Sequence, residues 1–272
     1  MVQELRLVVY SEEDLAGRNI ASHLVKHISF SDSNVGLLPA LNHGDLYLLR
    51  VGGPLVNFTL PAGGEKAEWV LCLSRHRSES GRRCLTAHTP GNLSGSADLG
   101  GRPNEVAISN PSLQSSLIKE LHRSSSELGL DYQITVEATH HGPTELPCPV
   151  TFVEIGSDED AWKDESMGEA VARGVSRALL SPMVGKGAFG VGGGHYSEKF
   201  TSLIIDQNCL IGHIVPKYAM NEGLDNAMFG ACIKRTLGGC FSIFVDWKGT
   251  PSNFKESLRA LAQSLGIELV RV

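Results

Sequence analysis

The sequence predicts an α/β fold, a three-layer sandwich with a mixed sheet and helices on both sheet faces. Two observations carry this. Apolar runs of strand length alternate with helix-length stretches along all 272 residues, and no repeat, charge block or proline-rich linker divides them. One domain over residues 1–272 is expected, since a chain of this length can bury a large core.

Residues 1–10 read as a strand, with residues 5–9 as its apolar run. Ser11 is a candidate N-cap, and Glu12, Glu13 and Asp14 occupy a first helical turn, where carboxylates suit the helix dipole, so a helix runs to about His27. Strands follow over residues 45–51, 69–73 and 105–109, and Pro111 opens a helix that Gly129 ends. Residues 132–139 alternate Tyr132, Ile134, Val136 and Ala138 against Gln133, Thr135, Glu137 and Thr139, the period of a strand, so Glu137 points away from the apolar face. Residues 150–155 form another strand, Ser157 caps an acid-rich helix, and a second helix runs to about Leu180. Residues 185–194 hold six glycines in ten positions and read as a loop whose backbone approaches something closely. Beyond lie a strand at 210–215, a helix at 224–236, a strand at 241–247, a helix at 253–265 and a last strand at 267–270.

The formal charge of −6 argues against indiscriminate nucleic-acid binding, because phosphate neutralisation needs a basic surface. A local patch is still available: Arg75, His76, Arg77, Arg82 and Arg83 fall within nine positions as a basic loop able to touch RNA, an ordinary solvated charge cluster being the alternative. The N-terminus lacks the basic and apolar regions of a signal peptide, and no stretch approaches the roughly 18 apolar residues of a membrane helix. No membrane association and a cytoplasmic location are expected. Six cysteines without a CxxC pair read as buried free thiols of a reducing compartment. A monomer is compatible with the sequence.

Strand ends are the usual functional positions of an open α/β sheet. His140 and His141 follow the strand carrying Glu137, Glu154 sits on the next strand, His195-Tyr196 follows the glycine-rich stretch, and His213 lies in Gly212-His213-Ile214. His88 and Asn92 occupy a segment of turn-formers, Thr86-Ala87-His88-Thr89-Pro90-Gly91-Asn92. One histidine alone is more often structural than functional, but the cluster exceeds what a core explains. Imidazole with carboxylate is the ligand chemistry of catalytic zinc with an open water position, although no HExxH spacing is present. Adjacent His140 and His141 point to opposite faces of an extended backbone, unless a turn at Gly142-Pro143 intervenes. Gly185-x-Gly187-x-x-Gly190 follows a helix and Pro182 rather than a strand, so the dinucleotide reading fails its context. Ser78 and Ser80 lack the GxSxG elbow of a serine nucleophile.

Taken together, these segments resemble the D-aminoacyl-tRNA deacylase family of archaea and plants, the second deacylase type. The matching strings are Ser74-Arg75-His76 with Ser80-Gly81, Leu85 through Asn92, Glu137-Ala138-Thr139-His140-His141-Gly142-Pro143-Thr144, Phe152-Val153-Glu154-Ile155-Gly156-Ser157, Gly192-Gly193-Gly194-His195-Tyr196, and Gly212-His213-Ile214 with Lys217-Tyr218. The resemblance implies an enzyme that hydrolyses the ester between a D-amino acid, or glycine, and the 3′ end of tRNA. It also implies a fold similar to peptidyl-tRNA hydrolase and the nucleoside phosphorylases, with zinc as cofactor. On the matched positions it implies His140, His141, Glu154 and His195 as metal ligands or holders of water, with Glu137 beside them or as base. Arg75, His76 and Lys217 would hold phosphate or ribose, and His88, Asn92, Gly193, Gly194, Tyr196 and His213 would complete the substrate site. Backbone at residues 192–194 would supply amide donors, and rejection of the L-isomer would be steric. Assistance from the tRNA 2′-hydroxyl would leave no side chain as base, and that choice stays open. Two rivals remain: a zinc-dependent amidase or peptidase, and a non-catalytic RNA-binding module that leaves the His/Glu cluster unexplained.

Overall fold

Strand–helix alternation resolves into two sheets rather than one, eight mixed strands in the first and four parallel strands in the second, with a separate two-stranded pair. The computed structural model describes residues 5–79 and 81–272; residues 1–4 of the first predicted strand, and Ser80, lie outside the described residues. In chain order the first half holds β1 (Leu5–Ser11), α1 (Leu15–His27), β2 (Ser31–Val35), β3 (Leu38–His43), β4 (Leu46–Val51), β5 (Ala67–Arg77), β6 (Cys84–His88), β7 (Gly91–Asn92), β8 (Glu105–Val106), α2 (Pro111–Glu127) and β9 (Gln133–Val136). The second half holds β10 (Val150–Ser157), α3 (Glu159–Lys163), α4 (Glu165–Leu180), β11 (Gly187–Val191), α5 (Glu198–Gln207), β12 (Leu210–Val215), α6 (Lys217–Asn221), α7 (Ala227–Lys234), β13 (Cys240–Val245), α8 (Ser252–Leu265) and β14 (Glu268–Arg271).

The large sheet runs β2-β3-β4-β1-β5-β10-β6-β9, and the small one β12-β11-β13-β14. One face of the large sheet packs Leu71, Leu73, Val153 and Ile155 against Ile20, Leu24, Leu117, Leu121, Val171 and Val175 of α1, α2 and α4, all fully buried. Each such side chain contributes roughly 1.5–3 kcal/mol of burial. The opposite face, with Val70, Cys72 and Phe152, is packed by the 3-10 turn Leu55–Asn57 and the loop residues Phe58, Ala107, Leu146 and Cys148. The three-layer expectation of helices on both faces therefore holds only for the small sheet, which has Phe200 and Ile204 of α5 on one side and Phe229, Phe254 and Leu258 of α7 and α8 on the other. Between the sheets lies α2, whose buried Gln114 accepts from Thr89 Oγ1 and donates to the carbonyls of Ile211 and Gly212.

Several local expectations change for physical reasons. Ser11 and Ser157 end strands, and the caps are instead Asp14, which accepts from the Gly17 amide, and Asp158, which accepts from that of Ala161. Residues 187–191 are the buried strand β11 rather than loop; its glycines serve close packing, since a Cβ at Gly187 would sit 2.8 Å from the Gly239 carbonyl. Residues 185–186 and 192–194 stay outside regular structure, with φ of +102° at Gly192 and +77° at Gly193. His88 ends strand β6 instead of lying in a turn. The hairpin β2–β3 and the helix α5 have no counterpart in the sequence reading. All six cysteines are free, four of them buried. Among the described residues no helix is long and apolar enough to cross a membrane.

Candidate active site

The predicted strand at 132–139 ends in the large sheet at Val136, and its continuation is a seam between the sheets. The Ala138 amide donates to the His195 carbonyl (2.9 Å), that of Thr139 to Ile214 (2.9 Å), and that of Gly91 to His140 (3.1 Å). Three motifs far apart in sequence are thereby held against one another. At His141 the backbone turns left-handed, φ +45°, which cancels the opposite orientation expected of adjacent residues on extended chain. Both rings then face one cluster, their centroids 4.4 Å apart.

Glu137 sits at the centre, 1% exposed. Its Oε1 lies 3.1 Å from His76 Nδ1 and 3.6 Å from His195 Nε2, while Oε2 lies 3.2 Å from His88 Nδ1. Glu154 on β10 adds an oxygen 3.6 Å from His76 Nδ1 and 3.9 Å from His88 Nδ1. His76 Nε2 meets the Tyr196 hydroxyl at 2.8 Å, and His195 Nδ1 the Tyr218 hydroxyl at 3.3 Å.

Burial opposes a charge on His76, but the flanking Glu154 and Glu137 carboxylates outweigh it and raise its pKa to about 9. Burial likewise favours neutral Glu137, yet the surrounding His195, His88 and His76 hold it well below the usual carboxylate range. His140 and His141 run the other way: burial first, then the neighbouring His88, holds His140 well below its ordinary value and His141 at about 3. Each donates Nδ1–H to a backbone carbonyl, His140 to Ala138 (2.8 Å) and His141 to Gly142 (2.6 Å), leaving Nε2 as a bare lone pair. His141 Nε2 nevertheless lies 3.1 Å from His88 Nε2.

This donor set fits a divalent cation. Three groups bring their ligand atoms within 4.8 Å of one another: His88, His140 and His141; His76, Glu137 and His195; and His88, Glu137 and Glu154. Within them, His88 Nδ1 and both Glu137 oxygens are buried without a hydrogen-bond partner among the described residues. Converging lone pairs and unpartnered carboxylate oxygens are what a cation would satisfy.

A family model for D-aminoacyl-tRNA deacylase matches residues 63–270. The chain belongs to that family. Curated D-aminoacyl-tRNA deacylases agree along nearly their whole length: that of Methanosarcina acetivorans is 33% identical, covering 97% of this chain and 91% of its own. The enzyme of Aeropyrum pernix is 34% identical, with 96% and 98% covered, and that of Thermoplasma acidophilum is 34% identical, with 98% and 100% covered. A crystal structure of a conserved protein of unknown function superposes with a TM-score of 0.87 at 30% identity, over 98% of this chain and 95% of its own.

In this member of the deacylase family the cluster lines a cavity of about 390 Å³, with His76, His140, His141, Glu154 and His195 on its wall. Arg75 and Arg77 flank it, alternating along β5 with the inward His76 and set over the Trp162 ring at 5.3 Å each. They are thus strand residues rather than a basic loop, whereas Arg83 is paired with Asp164. Tyr196 joins the cluster through His76. Lys217 opens α6, its amide donating to the Gly193 carbonyl, and the Gly192 amide is spent on Val215, which leaves residues 193 and 194 as the candidate amide donors of the deacylase site. Asn92 donates to the carbonyls of Gly100 and Arg102, bracing the loop that carries Leu99.

His213 is not brought to the deacylase cavity. It is fully buried, donates Nε2–H to the Ala107 carbonyl and accepts at Nδ1 from Thr139. His88 and His76, read from the sequence as substrate contacts, lie inside the ligand groups. Trp162 and Asp14 were given no site role by the sequence. Trp162 donates Nε1–H to the His76 carbonyl, and Asp14 accepts the Arg75 amide, so both hold the strand that carries His76. No local signal marks them, because each acts across more than 60 residues of chain.

Proposed function

We propose that this protein hydrolyses the ester bond of D-aminoacyl-tRNA, releasing the free D-amino acid and tRNA. Membership of the family and near-full-length agreement with curated deacylases support the reading. The structural observation that carries it is the meeting of His76, His88, Glu137, His140, His141, Glu154 and His195 beside one cavity flanked by two exposed arginines. A non-catalytic RNA-binding module would have no use for so many buried ionisable groups, each costly to bury without a task.

The cofactor in this reading is zinc, which His140, His141, Glu154 and His195 would hold, divided among three ligand groups that add His88, Glu137 and His76 as further donors. When bound, zinc supplies Lewis acidity that lowers the barrier to ester hydrolysis. The chain's own residues have separate work. Glu137, kept ionised, accepts the proton of the attacking water. His76, on the cavity wall with its Nδ1 beside Glu137 and Glu154, offers an N–H donor as negative charge develops on the ester oxygen. Arg75 and Lys217 hold phosphate or ribose of the terminal nucleotide, with Gly193, Gly194, Asn92 and Tyr196 around it. Leu55, Val56 and Leu99 form the apolar part of the wall, and a wall shaped for one arrangement at the α-carbon rejects the other sterically. The reading takes the chain as one catalytic domain acting as a cytoplasmic monomer, and extends to a fold-level likeness to peptidyl-tRNA hydrolase.

Release of amino acid from D-Tyr-tRNA and L-Tyr-tRNA, with and without a zinc chelator, tests the proposal. Selective, chelator-sensitive loss of the D-ester is expected. Release from neither ester, alongside turnover of an N-acyl amino acid, would move the amidase reading to first place.

A further inference from the structure

We infer that a second cationic–aromatic surface, centred on Trp247, grips RNA backbone beyond the terminal nucleotide; the inference rests on the substrate being tRNA. Three cations surround the half-buried Trp247 ring: Lys255 and Arg259 at 4.9 Å each and Arg271 at 4.0 Å from its centroid. None of the three has a carboxylate within ion-pair distance among the described residues, and Lys248 beside them is exposed and equally unpaired. Their arrangement follows from the elements that carry them. Lys255 and Arg259 are four apart on α8 and share a face, whereas Glu256 is rotated about 100° away. Arg271 is three residues from Glu268 on β14, so the two point to opposite sides of the sheet. Acidic neighbours are thus turned aside and the cations gathered, on a chain whose net charge is −6.

Gathering like charges around a neutral ring costs repulsion that a polyanion would relieve. An aromatic face with arginine and lysine at its edge is also the chemistry that holds nucleic-acid backbone and unpaired bases. The position suits the same substrate. Trp247 follows Asp246, whose side chain faces Gly193 (3.8 Å from a Cβ built there) and accepts from Lys199 at 2.5 Å. Gly193 in turn leads through Gly194 to His195. Asp246, next to Trp247 in the chain, thus links this surface to the glycine turn that leads to His195, and the surface lies on a different element set from the Arg75–Arg77 pair of β5.

The test compares the wild type with Lys255→Ala/Arg259→Ala, both changes at side chains leaving the α8 core residues Phe254, Leu258 and Ala262 in place. Two readouts are taken: binding of uncharged tRNA across a salt series, and deacylation of D-Tyr-tRNA beside D-tyrosyl-adenosine. Expected are a roughly 10-fold weaker binding of tRNA and a salt slope shallower by about 0.9 for each phosphate no longer neutralised. KM for D-Tyr-tRNA should rise with kcat unchanged, while D-tyrosyl-adenosine, which cannot reach the surface, is cleaved at the wild-type rate. The charge-keeping pair Lys255→Arg/Arg259→Lys should restore binding. Unchanged tRNA affinity, salt slope and KM in the alanine variant would overturn the inference. Failure of the wild type to cleave any D-aminoacyl ester would instead count against the activity, and the binding series would still decide whether this surface takes RNA.

Discussion

Glu137 Oε2 lies 3.2 Å from His88 Nδ1 with both side chains fully buried, and neither atom has a hydrogen-bond partner among the described residues. A charged oxygen and an imidazole nitrogen held this close, out of water and unbonded, are arranged for something between or beside them. Replacing the carboxylate by an amide keeps the shape and removes the charge. Glu137→Gln should lower kcat/KM for D-aminoacyl-tRNA by about 100- to 10,000-fold, the range for a positioned general base. An unchanged thermal melt would separate this from unfolding, and wild-type activity in the folded variant would remove Glu137 from the mechanism.

Bound metal should stabilise the fold as well as support the reaction. Extensive dialysis against a chelator is expected to abolish deacylation and lower the melting temperature, and zinc should restore both. At free metal 100-fold above its Kd the linkage is about 2.7 kcal/mol. His88→Ala should reduce bound metal measured by elemental analysis, whereas Asn92→Ala, which only loosens a loop, should leave it intact. Equal metal content in both variants would return His88 to the role of substrate contact.

Arg75 and Arg77 lie on the exposed face of β5 beside the cavity and stack on Trp162. Arg75→Ala should raise KM for tRNA about 10-fold with little change in kcat, and make binding less salt-sensitive. Kinetics at two ionic strengths would show it. A fall in kcat alone would place the side chain nearer the chemistry than the phosphate.

Burial lowers the pKa of His213 to about 4, so between pH 6.5 and 4 the unfolded chain binds a proton that the folded chain refuses. Its contribution to stability is present above pH 6.5 and is lost as the pH falls toward 4. His76 acts in the opposite sense, because its raised value near 9 makes its contribution complete below pH 6.5 and lost as the pH rises through 9. Urea midpoints measured in chelator from pH 4 to 10 should fall on both flanks. His213→Gln, which can still donate to Ala107, should flatten the acid flank only. An acid flank of wild-type steepness in that variant would exclude His213 as its source.

Space around the seam is as constrained as its charge. A Cβ at Gly91 would meet Thr139 Cγ2 and Val106 Cγ1 at 2.7 Å and the Val106 backbone at 2.9 Å. Gly91→Ala should cost about 1–3 kcal/mol by overpacking. Because the Gly91 amide holds the His140 carbonyl, metal content should fall with stability, measured as a lower urea midpoint and a lower zinc stoichiometry.

Strand–helix alternation and the Pro111 and Gly129 boundaries of α2 were legible because they depend on local periodicity and backbone chemistry. His140, His141, His195, Glu137 and Glu154 stood out by their motifs, whereas His76 and His88, which share their ligand groups, read as substrate contacts. What the residues alone could not decide was which of them meet. The partition of strands into two sheets, the burial of glycines 187 and 190 in a strand, and the left-handed turn at His141 depend on contacts between segments far apart in the chain. The same holds for His88, at the end of β6, and His213, inside β12. One faces carboxylates at 3.2 and 3.9 Å, and the other is enclosed by Thr139 and Ala107 in the core. A histidine's type sets what it can bind, but its partners are set by the packing of elements that share no local sequence, and this only the tertiary structure decides.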